Sequence, residues 1–353
     1  MSENKSKILL IDAYSIICRG FYALPLLSTS SGYHTNAALG FLNILFRTLD
    51  EEKPDYIAVA FDENVPTFRH KLYKEYKGQR KPMPSELKEQ VPYVKEILAA
   101  MGIKTFSKEG FEADDILGSL ANKLANKKLE AVILSGDKDM LQLATCDIKI
   151  RLAKTVKSNS EIYPYYAKDV EKEYNMTPTE FIDLKAIMGD TSDNIPGVKG
   201  VGKITANDLI TKYKSIDNIY AHIDEIKKPS VVKAFTEGKE DVKLYKKLVT
   251  IVKDIDLDAN IDDLKIVDLF NPDSFKVIEK YELKSLYKKF GKSKTTGKSK
   301  KTEDTLLDGF VDLDNNIGDV EKSNEKFDDN DKKYAYNLKN RYKELDDSDI
   351  WAK

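Results

Sequence analysis

Four short apolar runs punctuate the first part of the chain: KILLID (7–12), YIAVAFD (56–62), the weaker IKTF (103–106) and EAVILSGD (130–137). Runs this short and this continuously apolar read as strands buried on both faces. The segments between them keep a different period. TNAALGFLNILFRTLDEE (35–52) is apolar at 38, 39, 42, 45, 46 and 49, and SELKEQVPYVKEILAAMG (85–102) at 87, 91, 94, 97, 98 and 101. Each spacing lays one apolar stripe along a helix. Strands alternating with helices predict an α/β fold with a mostly parallel central sheet flanked by helices.

Beyond about residue 160 the strand pattern fades. MTPTEFIDLKAIMG (176–189) opens with Thr177, Pro178 and Glu180, the signature of a capped helix start. Helical segments continue to Phe290. The pattern predicts an α/β domain over 1–175 and a helical domain over 176–290. A basic linker without apolar residues, GKSKTTGKSKK (291–301), and an acidic, disordered tail to residue 353 complete the expected layout.

Net charge changes this picture only when it is divided. The whole chain carries −2, but residues 302–353 hold 15 acids against 8 bases, which leaves the first 301 residues at +5. A mildly basic globular part suits a polyanionic partner. Cys18 and Cys146 lie far apart and form no metal-like spacing, and there are only three histidines. A reducing, cytoplasmic setting is expected. No run approaches the roughly 18 apolar residues of a membrane span, and the N-terminal run is too late and too brief for a signal peptide.

The acids carry the sharpest signal. The three best strands each end in aspartate: Asp12, Asp62 and Asp137. Ligands of open parallel sheets gather at the carboxyl ends of strands. Asp139 follows in SGDKDMLQL, Glu112, Asp114 and Asp115 crowd the start of a helix in FEADD, and GDTSDNIPG supplies Asp190 and Asp193. Singly, each is ordinary loop chemistry or compensation of a helix dipole. Together, like charges about 4 Å apart would cost on the order of 4 kcal/mol per pair at an effective dielectric near 20. Such a cluster persists if groups protonate or cations bind. All-oxygen ligands select Mg²⁺ or Mn²⁺, and two ions about 3.5–4 Å apart suit in-line attack of water on a phosphodiester.

Two further segments point to nucleic acid. PTFRHKLYKEYKGQRK (66–81) sets Arg69, Lys71, Lys74, Lys77, Arg80 and Lys81 among Phe68, Tyr73 and Tyr76. Cations bind phosphates and aromatic rings stack on unpaired bases. A solvated amphipathic helix is the plainer reading. IPGVKGVGKITANDLI (195–210) has glycines at 197, 200 and 202 before a helix. Its amides can face a phosphate, as in a helix-hairpin-helix clamp over about 186–212. Gly197, Val198, Lys199, Gly200, Val201, Gly202, Lys203 and Thr205 form the expected contact strip. Such clamps also hold a monovalent cation, K⁺, on hairpin carbonyls.

LLIDAYS, RGFYALP, TNAALGF, AVAFD, TFRHKLYKEYKGQRKPMP, EGFEADDILG, SGDKDMLQL and LKAIMGDTSDNIPGVKGVGKITA occur in that order between residues 7 and about 290. In these motifs the chain resembles the bacterial 5′→3′ exonuclease domain of the DNA polymerase I type, within the flap endonuclease superfamily and its PIN-like, resolvase-like fold. The resemblance implies metal ligation by the nine acids. Asp12, Asp62, Glu112 and Asp114 would serve mainly one ion, Asp137, Asp139, Asp190 and Asp193 the other, with Asp115 in an outer position. It implies Lys77 and Arg80 as reaction-site cations, Tyr76 as a stacking residue, and Arg69 as a substrate contact. It implies an arch over about 66–101 that admits a free 5′ end. Ala13 stands where the family commonly has glycine.

The implied activity is 5′→3′ exonucleolytic and 5′-flap cleavage of DNA and RNA primers in replication and repair, by a monomer. An N-terminal domain of a DNA polymerase I is the alternative reading of the same motifs. A non-catalytic binder of branched DNA would need the clamp without the full acid set, and a PIN-like ribonuclease fewer acids and no clamp. LLDGFVDL (306–313) loosely resembles a sliding-clamp-binding peptide without its usual glutamine, so the tail is a place for a replication partner.

Overall fold

In the computed structural model, residues 5–156 and 159–291 are described. The linker and tail expected beyond 291, with the LLDGFVDL segment, lie outside them. Six strands form one sheet in the order β3-β2-β1-β4-β5-β6. They are β1 (Ser6–Asp12), β2 (Tyr56–Ala60), β3 (Lys104–Phe106), β4 (Leu129–Ser135), β5 (Ile148–Val156) and β6 (Asn159–Tyr165). All pairings are parallel except β5 with β6. The chain leaves β1 toward β2 on one side and reaches β4 on the other, so the order reverses between β1 and β4.

Each central strand serves two cores, which explains why its sequence is apolar throughout. Ile8 and Leu10 of β1 pack into one cluster with α6 (Ala113–Leu124) and the C-terminal helices, whereas Leu9 and Ile11 pack into the other. That second cluster is covered by α1 (Ala13–Ala23), α2 (Asn36–Glu52) and α5 (Gln90–Ala100). The short helices α3 (Phe68–Leu72) and α4 (Ser85–Lys88) lie between β2 and α5. The segment 66–101, expected as an arch, ends in α5. Val94, Ile97 and Leu98 of α5 are fully buried against the sheet, so α5 is a core helix and cannot belong to an arch.

The hairpin of β5 and β6 was not anticipated. IKIRLAKTV alternates apolar and cationic residues, which reads as a surface strand. Lys149 and Arg151 are nevertheless buried, because the C-terminal acids of α2 lie over them: Lys149 Nζ is 2.7 Å from Glu52 and Arg151 Nη1 3.1 Å from the same carboxylate. Only tertiary packing brings those charges together.

The helical region comprises α7 (Ala167–Tyr174), α8 (Pro178–Met188), α9 (Lys203–Tyr213), α10 (Ile216–Ala221), α11 (Pro229–Glu237), α12 (Lys239–Val249) and α13 (Pro272–Lys280). The capping box at the start of α8 forms as expected: Thr177 Oγ accepts from the Glu180 N–H at 3.2 Å, and Glu180 accepts from the Thr177 N–H at 2.8 Å. Helix α12 packs on α8. Between α8 and α9 the chain folds into a tight hairpin. Its base is closed by the Asp190 and Ile195 backbones and by the Val198 N–H donating to Ile187 O at 2.7 Å.

Gly197 sits at φ +69°, and a Cβ there would stand 2.4 Å from the Gly189 nitrogen and 2.6 Å from Ile187 O. Backbone on both sides leaves no room to yield. Gly197→Ala is therefore expected to destabilise the protein by about 1–3 kcal/mol or more, from the left-handed backbone and the clash together. A urea midpoint equal to that of the parent protein would refute the close approach.

Candidate active site

The reversal of strand order places the acids. Asp12 ends β1 and caps α1, accepting from the Ser15 N–H at 3.2 Å and from the Ser135 hydroxyl of β4 at 2.8 Å. Asp62 follows β2 and accepts the Ala113 N–H at 2.8 Å, at the N-terminus of α6. Glu112 is the N-cap of α6 and Asp114 stands in its first turn. Asp137 caps the 3₁₀ turn Lys138–Leu143 after β4, accepting the Asp139 N–H at 2.7 Å. Asp190 and Asp193 come from the hairpin after α8. Five separated pieces of chain thus deliver acids to one edge of the sheet.

Eight of them lie near enough to act on one another electrostatically. Burial first, and then Asp62 and Asp137 nearby, push the Asp12 carboxyl up to about 7. Asp114 is held well above the carboxylate range by burial and by Asp12, Asp137, Asp62 and Glu112. Burial also raises Asp62 and Asp137, the latter with Asp193 and Asp190 adding to it. Burial lifts Asp139 to about 7, with Asp137 and Asp190 contributing. Two acids go the other way. Glu112 is buried, yet Lys77 and Arg69 hold it low, and Asp190 is desolvated, yet Lys185 holds it down at about 2.

Asp115 is placed apart from the rest. It is fully buried in the first turn of α6, where Arg69 Nη1 and Nη2 grip it at 2.6 and 2.8 Å. Its remaining lone pairs accept the Glu112 N–H at 3.1 Å and the Val252 N–H at 2.9 Å. With both oxygens engaged it has nothing left for an ion, so it is not a direct ligand here and stands behind the cluster. Arg69 is corrected with it. Expected at the substrate, it is 2% exposed, and its Nε and Nη2 also donate to Leu248 O and Thr250 O at the end of α12.

Lys77 and Arg80, from the segment after α3, pair with the acids. Lys77 Nζ is 2.8 Å from Glu112 Oε1, and its backbone, at φ +54°, donates to Asp193 O at 2.9 Å. Arg80 reaches Asp193 at 2.7 Å. Tyr76 differs from the expected stacking residue. The residue is 2% exposed, and its hydroxyl lies 3.1 Å from Glu112 Oε2 and 2.9 Å from Asp193 Oδ2, so it sits between the two carboxylates instead of offering a face. Lys71 and Lys74 are exposed and Tyr73 is half-buried.

On the hairpin, Lys199, Gly200, Gly202 and Lys203 are exposed and Thr205 is half-buried, whereas Gly197, Val198 and Val201 are buried. Those buried three anchor the turn. The exposed residues and the N-terminus of α9 form the surface. Ile204 stands 80% exposed beside them.

The sequence pattern does not single out Lys185. Its ammonium contacts both Asp139 Oδ1 and Asp190 Oδ2. The one local signal was its place in LKAIMGD, five residues before Asp190 on the capped helix.

The donor set consists of carboxylate oxygens with no histidine or thiolate in the cluster, and burial plus repulsion raises five of the eight acids. That chemistry fits hard divalent ions. As the side chains stand, no three Asp, Glu, His or Cys among the described residues form a ready metal cage. Lys77, Lys185 and Arg80 lie among the acids instead. Among the described residues, no helix is long and apolar enough to cross a membrane.

Comparison with known proteins agrees with this geometry. Residues 7–175 match the family described as 5′-3′ exonuclease, N-terminal resolvase-like domain, and residues 176–271 match 5′-3′ exonuclease, C-terminal SAM fold. The chain is 38% identical over 287 residues to a 5′-3′ exonuclease of Aquifex aeolicus, covering 80% of this chain and 94% of that one. It is 40% identical over 287 residues to DNA polymerase I of Caldicellulosiruptor bescii, covering 81% of this chain and 34% of the polymerase, so it spans about a third of that relative. Its fold is similar to a bacteriophage T5 flap endonuclease in a pseudo-enzyme–product complex with DNA and metal ions, with a TM-score of 0.57 at 20% identity, over 78% of this chain and 99% of that one. On these matches, and with its acids gathered at the strand ends, the chain belongs to the 5′-3′ exonuclease family.

Proposed function

We propose that this chain is a divalent-metal-dependent 5′→3′ exonuclease and structure-selective 5′-flap endonuclease. The observation that carries the reading is the convergence of eight acids from five pieces of chain beneath a cationic segment. Asp12, Asp62, Glu112 and Asp114 would hold one Mg²⁺ or Mn²⁺, and Asp137, Asp139, Asp190 and Asp193 a second. Bound there, the ions supply a water nucleophile at neutral pH and charge stabilisation for the leaving oxygen.

The protein's own groups do the rest. Lys77 and Arg80 bind the scissile phosphate and stabilise the charge that grows on it. Tyr76 keeps Glu112 and Asp193 at a fixed separation. The Arg69–Asp115 pair holds α3 against α6, and so sets the height of Lys77 over the acids. Lys71, Tyr73 and Lys74 extend the path of a free 5′ strand. The amides at Gly200 and Gly202, with Lys199, Lys203 and Thr205, clamp the duplex backbone away from the cut, with K⁺ on the hairpin carbonyls. The layout is an α/β nuclease domain over 1–175 and a helical clamp domain over 176–290. DNA with free 5′ ends or flaps, and RNA primers, are the substrates, the setting is cytoplasmic, and the tail takes a replication partner.

A labelled 5′-flap duplex should be cut near the junction with Mg²⁺ and left intact with EDTA. Intact flap in both, bound equally well in each, would replace the nuclease with a binding protein.

Lys77→Ala should lower the single-turnover rate by about 10²–10³-fold, as for loss of a preorganised transition-state contact, while flap affinity changes little. An unchanged rate would remove Lys77 from the reaction site.

Asp114→Asn should abolish cleavage yet stabilise the metal-free protein at pH 8, by about 0.5–2 kcal/mol. The sign follows from linkage. An acid whose folded pKa is raised binds its proton more tightly when folded, so ionising it costs stability as pH rises above about 4. The gain should therefore shrink toward pH 4. Denaturant midpoints in EDTA at both pH values test it, and a destabilised variant at pH 8 would contradict the repulsion.

A further inference from the structure

Lys185 stands on the last turn of α8, between the buried Leu184 and Ala186, with its side chain 14% exposed. Its ammonium bridges Asp139, on the turn after β4, and Asp190, on the hairpin. Asp137 adds its field from the same side. These are three of the four acids read as holding the second ion. An ammonium this deep is tolerated only where carboxylates surround it. Conversely, the acids at this end of the cluster find positive charge in Lys185. Lys77 plays a similar part toward Glu112, but from the exposed segment that lies over the site. Lys185 is rooted in a core helix packed by α12.

An ammonium and a hard divalent ion seek the same carboxylate oxygens. We propose that Lys185 is the built-in counter-ion of the second metal subsite, bridging Asp139 and Asp190 until an ion displaces it. The inference rests on the reading of these acids as metal ligands. It makes the two halves of the site unequal. An ion entering beside Asp139 must first dislodge a covalently tethered competitor, so this half binds more weakly, and the bridge keeps the turn after β4 and the hairpin in register in the meantime.

The test is Mn²⁺ binding to the full chain at pH 8, counted by electron paramagnetic resonance, for the parent protein, Lys185→Gln and Lys185→Arg. The parent should bind Mn²⁺ in a tighter and a weaker step. Glutamine should tighten the weaker step at least about tenfold, equivalent to about 1.4 kcal/mol, whereas arginine, which keeps the charge, should not. Melting temperature supplies a second readout: glutamine should lower it in EDTA, and saturating Mn²⁺ should close the gap. A purely structural lysine would leave the gap open and the weaker step unchanged, and that result overturns the proposal. A glutamine variant that is unfolded in EDTA but folds with Mn²⁺ supports it. One that stays unfolded at saturating Mn²⁺ overturns it, because Lys185 is then needed alongside the ion. A parent protein that binds no Mn²⁺ overturns both this inference and the metal-dependent reading beneath it.

Discussion

Repulsion among buried carboxylates is the constraint around which this molecule is arranged. Asp12, Asp62, Asp114, Asp137 and Asp139 are all desolvated and all pushed upward in pKa. Folding apolar strands side by side forces several of them together, since the parallel strands β1, β2 and β4 each lead into an acid, Asp12, Asp62 and Asp137. The surrounding structure answers with positive charge and with hydrogen-bond donors. Ser15 and Ser135 donate to Asp12, the N-terminus of α6 donates to Asp62, and Ser192 donates to Asp190. Lys77, Arg80 and Lys185 contribute full charges.

These donors come from both parts of the chain, which ties the parts together. Lys77 and Arg80, from the segment after β2, reach Asp193 on the hairpin. Lys185 joins α8 to the turn after β4. Behind the cluster, the buried Arg69–Asp115 pair connects α3, α6 and the end of α12 through four donated hydrogen bonds from one guanidinium. Removing one member of such a pair would leave a buried charge uncompensated. The interface between the sheet and the helical region is thus largely ionic where it meets the site, and apolar further away.

That division has a functional logic. An apolar interface would hold the helical region whatever occupied the site. An ionic one would respond to charge, because a cation such as Lys185, which bridges Asp139 and Asp190, would be drawn away by a stronger competitor for the same oxygens. The tight hairpin that carries Asp190 and Asp193 also leads directly into the exposed residues Lys199, Gly200, Gly202 and Lys203, only a few residues away from those acids.

The sequence determined the elements whose signals are local. The strands of the parallel core, the helices over 36–52 and 90–100, the capping box at Thr177 and the acids at the strand ends were all legible, because period, turn chemistry and end residues are properties of neighbouring positions. It did not determine β5 and β6. The cationic face of β5 makes sense only in the fold, beneath Glu51 and Glu52 of a helix a hundred residues away. Nor could it say which charges face which. Arg69, Asp115 and Tyr76 look like surface or ligand residues in one dimension and prove to be buried partners. The only local mark Lys185 carries is its place five residues before Asp190. Charge pairing acts through space over a few ångströms and is blind to sequence separation, so only the tertiary structure decided which acids share the site and which cations balance them.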